Sequence, residues 1–187
     1  MSVSKRYEEF AYVLDYLPRG KSGVGRLRYR TEPVVQLLGE KYFTLLEATT
    51  EREASLEPYE RVYVGKDRRN KITHIAGRIT YNDLTTSARR DIVDLLEKII
   101  QIQEGRFIRF FNEAPALTPR MHTLELVPGI GKHYLRIILS EREKHLFEDL
   151  EDLRRRTGLP DPIKLITKRI IEELSTEQKY YIFSRVR

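Results

Sequence analysis

Apolar residues fall in short, strand-like runs through the first 115 positions and recur at helical spacing after them. Phe10-Ala11-Tyr12-Val13-Leu14-Asp15-Tyr16-Leu17 is rich in aromatic and large apolar residues and is closed by Pro18 and Gly20, which predicts a strand. Val34 to Leu38 and Tyr42 to Leu46 read as one long strand or a pair broken at Gly39, where a glycine marks a bulge or a sharp bend. Arg61-Val62-Tyr63-Val64 and Ile72-Thr73-His74-Ile75-Ala76 flank Gly65 to Lys71, the composition of a hairpin with a basic tip. A helix follows, with Asp83 or Thr85 as its cap, Ile92, Leu95, Leu96, Ile99 and Ile100 on its apolar face, and Gly105 as its end. Phe107-Ile108-Arg109-Phe110-Phe111 reads as a further strand. About five strands with one helix predict a small OB-like β-barrel, the form that closes five strands and binds oligomers across one face. A different α+β sheet is the alternative.

Beyond Pro115 the pattern is helical only. Thr118-Pro119 is a helix-start signal, since threonine supplies a cap oxygen and proline lacks the donor that would be orphaned. That helix would bury Met121, Leu124 and Leu126. The chain breaks at Val127-Pro128-Gly129-Ile130-Gly131 and restarts at Lys132, with Tyr134, Leu135, Ile137, Ile138 and Leu139 driving a second helix. Third and fourth helices are expected near residues 146–156 and 162–174, and Tyr180-Tyr181-Ile182-Phe183 as a docking segment. The expected fold is therefore α+β in two domains: the OB-like β-barrel at 1–115, and an all-α tandem helix-hairpin-helix domain at 116–187.

The Pro128-Gly129-Ile130-Gly131 turn carries the candidate chemistry. Two glycines let a backbone turn sharply and approach a phosphate with no Cβ in the way. The helix after it directs unpaired amides and positive partial charge outward. Together these make an anion site indifferent to base sequence. Gly129, Gly131 and His133 are expected to donate backbone N–H groups, while Lys132 and Arg136 neutralise charge. A structural αα-hairpin, its glycines serving only close packing, is the competing interpretation. A second hairpin, Arg156 to Pro162 between two apolar helices, has lost the Gly-x-Gly pattern and carries Asp161 where an anion would be repelled, so it reads as a packing partner, with a second phosphate site near Lys164 and Lys168 as the alternative.

Charge sharpens this picture. The chain of 187 residues carries 34 Lys and Arg against 28 Asp and Glu, a net charge of +6. Residues 18–31 hold Arg19, Lys21, Arg26, Arg28 and Arg30 without an acid, and residues 65–78 hold Lys66, Arg68, Arg69, Lys71 and Arg78 against Asp67 alone. Concentrated cations of this kind act on polyanions through released counterions. Arg26, Arg28, Arg30, Arg68, Arg69 and Lys71 are the expected capture residues, and Tyr29 between two arginines the first candidate for base stacking.

The runs Asp15-Tyr16-Leu17-Pro18-Arg19-Gly20, Leu38 to Glu47 and Thr118 to Leu126 resemble an uncharacterised archaeal family. Its members are described as predicted nucleic-acid-binding proteins with an OB-like part and a helix-hairpin-helix part, in a domain-of-unknown-function family. The resemblance covers roughly residues 8–183. It implies the same architecture, a cytoplasmic location and RNA or DNA as partner, and it brings no catalytic residue.

Other chemistries are poorly served. Zero cysteines close off disulfides, cysteine-type zinc sites and thiol nucleophiles. Gly20-Lys21-Ser22 lacks the glycine five residues earlier that a nucleotide-binding P-loop needs, Asp15 standing there. His74, His122, His133 and His145 show no zinc-helix spacing, and the acids fall in helix runs rather than in a metal-holding cluster. No membrane span, small-molecule substrate, cofactor, metal or enzyme activity is indicated. The expectation is a cytoplasmic, sequence-independent nucleic-acid binder with RNA as the expected polymer. The alternatives are a protein-interaction subunit of a ribosomal or RNA-processing assembly, a DNA repair or replication accessory factor, or a nucleic-acid enzyme subunit whose active site the sequence does not display.

Overall fold

A computed structural model describes residues 7–20 and 31–184. Five strands, β1 (Phe10–Leu17), β2 (Val34–Gly39), β3 (Leu45–Thr50), β4 (Arg61–Tyr63) and β5 (Ile72–Arg78), form one sheet in the order β4-β1-β2-β3-β5. Every pairing is antiparallel, and the sheet is a curled half-barrel. β4 and β5 lie at opposite edges rather than in the expected hairpin, so the basic segment between them joins the two edges. The short β4 gains its partner from β1, which has two edges to offer, and β5 finds its own on β3.

Leu14 sets the chemistry of the two faces. It is the extra residue of a bulge, because Val13 pairs with Leu37 and Asp15 already with Gln36. An inserted residue reverses side-chain parity. Ala11 and Val13 before it, and Tyr16 after it, therefore share one face with Val35, Leu37, Leu46, Ala48 and Val62. Asp15 is left level with Gln36 and Glu47 on the other face. This polar row anchors a helix start. Gln36 Nε2 donates to Glu47 Oε1 at 3.0 Å and to the Asp83 carbonyl at 2.9 Å, while its Oε1 accepts the Thr85 amide at 2.9 Å. Thr85 Oγ1 donates to Asp15 at 2.6 Å and accepts the Ala88 amide at 3.1 Å, capping α1 (Thr86–Ile102).

Gly39 is required by a close approach. A Cβ there would lie 2.1 Å from Glu8 Oε1. The buried Glu8 carboxylate accepts the amides of Lys41, Tyr42 and Thr44 at 2.9–3.1 Å, closing the β2–β3 turn through the left-handed Phe43.

The described residues divide into two compact units, 7–95 with 183–184, and 96–182, so the division falls inside α1. Within the second unit α2 (Glu104–Glu113) replaces the strand expected at 107–111. Phe107, Ile108 and Phe111 are its buried residues, a set spaced i, i+1, i+4 that one helical face accommodates. Nor does Thr118-Pro119 open a helix. β6 (Ala116–Thr118) and β7 (Met121–His122) form a small hairpin around Pro119-Arg120, with Thr118 Oγ1 accepting the Arg120 amide at 3.3 Å. The cap oxygen thus serves the turn. α3 (Lys132–Lys144), α4 (Leu150–Thr157) and α5 (Pro162–Ser175) follow.

Side chains close the ends of these helices. Arg142 donates to the carbonyls of Phe111 and Ala114 at the end of α2, and Arg156 to those of Glu141 and His145 at the end of α3. A buried Arg169–Glu173 pair at 3.0 Å also holds the C-terminal segment, Arg169 donating to the Tyr180 carbonyl and Glu173 accepting the Ile182 amide. Among the described residues no helix is long and apolar enough to cross a membrane.

Candidate nucleic-acid interface

The turn at 127–131 stands on the surface. It is preceded by a single 3-10 turn, Thr123–Leu126, where a full helix is expected. Two features keep that arm short. The β6–β7 hairpin occupies the residues before it, and Pro128 disfavours helical backbone at Val127, which is extended. His122 caps the arm: its Nδ1 accepts the Leu124 amide at 3.2 Å, and Glu125 Oε2 accepts the His122 amide at 2.7 Å.

Gly129 has φ of +94°, the left-handed region open to glycine, and a Cβ would press on Leu165 at 3.2 Å. Ile130 points inward and is buried, its amide bonded to the Val127 carbonyl at 3.0 Å. Gly131 is the N-cap of α3, in extended backbone, with no side chain to cap the first turn and open space where a Cβ would stand. Gly129, Gly131, Lys132, His133 and Arg136 are all exposed. Among the described residues no side-chain cap is recorded for the first turn of α3, and its N-cap glycine supplies none.

One expected cation is already engaged. Lys132 Nζ lies 2.8 Å from Glu125 Oε1 and donates to the Arg120 carbonyl at 3.1 Å. The amide of His122, and then Lys132, hold the Glu125 carboxyl below its usual range. Burial, together with the charges of Arg142 and Lys132, pushes the His122 imidazole below its usual range. Arg136 bonds through Nε to the Lys132 carbonyl at 3.3 Å, and with His133 and Ser140 it lines a shallow open groove along α3. The His133 ring meets Tyr134 edge-on.

The second hairpin is chemically different. α4 ends at Gly158 in the left-handed conformation, and Asp161 caps α5 with Oδ1 accepting the amides of Ile163 and Lys164 at 3.0 and 3.4 Å. A carboxylate of the chain thus occupies the position an outside anion would take.

In the first unit, Arg68 is exposed, whereas Arg69 is half-buried with Nε bonded to the Gly65 carbonyl at 2.9 Å. Lys71 is paired with Glu60 and with the Ser55 carbonyl. Arg26, Arg28, Arg30 and Tyr29 lie outside the described residues. Glu125, which joins the cap of the arm to Lys132, is not among the residues the sequence pattern singles out. Its signal is the His122-x-x-Glu125 spacing of a capping box, obscured because histidine is an unusual cap.

Residues 7–185 match the family described as "Protein of unknown function (DUF655)". The chain belongs to this family. Among DUF655 relatives, the uncharacterized protein MJ0038 of Methanocaldococcus jannaschii is 43% identical over 181 residues, covering 96% of this chain and 81% of that protein. The crystal structure of the DUF655 protein Af1531 from Archaeoglobus fulgidus superimposes with a TM-score of 0.87 at 40% identity, covering 95% of this chain and all of that one. The DUF655 fold is α+β, with the curled five-stranded sheet and five helices described above.

Proposed function

We propose that this protein binds nucleic acid through its backbone, with RNA as the expected polymer and little preference for sequence. In this reading the 3-10 arm, the glycine turn and α3 act as a helix-hairpin-helix element, and the α4–α5 hairpin is its packing partner. The curled sheet acts as an OB-like part whose basic loops capture the strand. The observation that carries the reading is the contrast between two helix starts. Asp161 closes the start of α5, while Gly131 leaves that of α3 open beside two exposed cations. A phosphate oxygen at that start accepts the amides of Gly131 and His133, gains from the positive end of α3, and meets Arg136 one turn on. Glu125 opposes the phosphate, so part of the Lys132 charge becomes available only when the anion competes for it.

Titration of labelled single- and double-stranded RNA and DNA across salt concentrations tests the proposal. Log affinity is expected to fall linearly with log salt. Lys132→Gln and Arg136→Gln should each make the slope shallower by about 0.7–0.9 for every phosphate no longer neutralised. A flat salt dependence overturns it and favours the protein-interaction subunit instead.

A further inference from the structure

In the first unit, where β3 and β5 meet the segment after β4, a cleft of about 410 Å³ opens to solvent. That volume lies within the range of small-ligand sites, roughly 300–1,000 Å³. Its floor is apolar: Leu46 and Val64 belong to the buried cluster on one face of the sheet, and Ile75 packs against it. Gly65 and Gly77 contribute bare backbone to the wall. Around the mouth stand Lys66, Arg69 and Arg78, and at its lip Tyr7 is 56% exposed, with Lys66 Nζ 5.0 Å from the centre of its ring.

These groups select a ligand with two halves. The apolar floor and the tyrosine face favour a flat aromatic ring, because base–aromatic stacking gains from any π-face. Three cations at the mouth favour a multiply charged anion attached to that ring. Glu8 also lines the cleft, but its carboxylate is tied to three turn amides. We infer that this cleft is a nucleotide site, taking the base of a nucleoside monophosphate unit against Leu46, Val64, Ile75 and Tyr7 and its phosphate on Lys66, Arg69 and Arg78. The ligand is either a free nucleotide or the phosphorylated end of a strand. The site is independent of the α3 turn.

Calorimetric titration with AMP, adenosine and orthophosphate tests the assignment, alongside a short oligoribonucleotide with and without a 5′-phosphate. AMP should bind saturably and at least tenfold tighter than adenosine or orthophosphate. A preference for the phosphorylated oligonucleotide over AMP identifies a strand end as the source, and the reverse identifies a free nucleotide. Tyr7→Leu should weaken AMP at least about fivefold through reduced stacking, and Lys66→Gln should do so through reduced charge. Amide shift mapping of the unaltered protein gives a readout that needs no variant: AMP should move Leu46, Val64, Lys66, Ile75 and Gly77. The assignment is overturned if no phosphate-bearing probe saturates, if adenosine binds as well as AMP, or if the shifts gather at residues 129–136.

Discussion

Glu125 holds both the cap and the charge of the proposed phosphate site. Its carboxylate accepts the His122 amide that starts the 3-10 arm and pairs with Lys132, whose side chain is 66% exposed. A phosphate at α3 must draw Lys132 away from this partner, so the negative charge of Glu125 lowers affinity while its oxygens help to shape the turn. Glu125→Gln separates the two roles, because the amide oxygen still accepts from His122 whereas the charge is gone. Affinity for RNA is expected to rise up to about fivefold, the range of an exposed ion pair, with a small loss of thermal stability. Affinity that falls in a variant of unchanged fold would show that Glu125 aids binding.

The two helix starts make the element-scale contrast experimental. Gly131 has φ of −87° and ψ of −174°, a backbone any residue adopts, and a Cβ there meets no heavy atom within 4 Å beyond its chain neighbours. Gly131→Asp should thus install on α3 the cap that Asp161 gives α5. An aspartate N-cap exceeds glycine by a few tenths of a kcal/mol, so the melting temperature should rise slightly. Binding to RNA should fall at least about tenfold, since the carboxylate fills the anion position and repels phosphate. A variant that binds as before excludes the α3 start as the contact. This asymmetry was legible in the sequence, as Gly131 and Asp161 stand where the pattern puts them. So were α3, α5 and strands β1 and β2, whereas the strand expected at Tyr42–Leu46 begins only at Leu45 and runs to Thr50, because Tyr42, Phe43 and Thr44 form the turn that Glu8 closes. Other elements failed for identifiable reasons. Phe107 to Phe111 carries apolar bulk at spacings that suit either a strand or a helix face, and its burial decides the matter. Thr118-Pro119 offers one signal with two uses. The β4–β5 hairpin failed because adjacency in sequence says nothing of the vacant edges of β1 and β3. Engagement of Lys71 by Glu60 and Lys132 by Glu125 depends on partners seven or more residues away, beyond the reach of local pattern.

Several described carboxylates are paired and one histidine is buried, and this gives the molecule's stability two separate pH windows. Arg61 holds Glu40 below the ordinary carboxyl range, Lys144 does so for Glu141, and the His122 amide for Glu125. Each of these groups binds protons less readily folded than unfolded. Their stabilisation is complete above the unfolded value of 4.5 and is lost as pH falls through the lower folded values. His122 acts in a higher window. Burial places its folded value below the unfolded 6.5, so the unfolded chain takes up the proton first and stability declines as pH drops below 6.5. The structural consequence is local, since a proton on Nδ1 removes the acceptor for the Leu124 amide and loosens the arm that leads to Gly129. Thermal melts from pH 7.5 to 3.5 should therefore show one decline beginning near 6.5 and a steeper one below 4.5. In His122→Asn an amide oxygen takes the place of Nδ1 as cap acceptor and does not titrate, so the upper decline should flatten while the lower one stays. An upper decline of equal size in both proteins would assign it to a group other than His122.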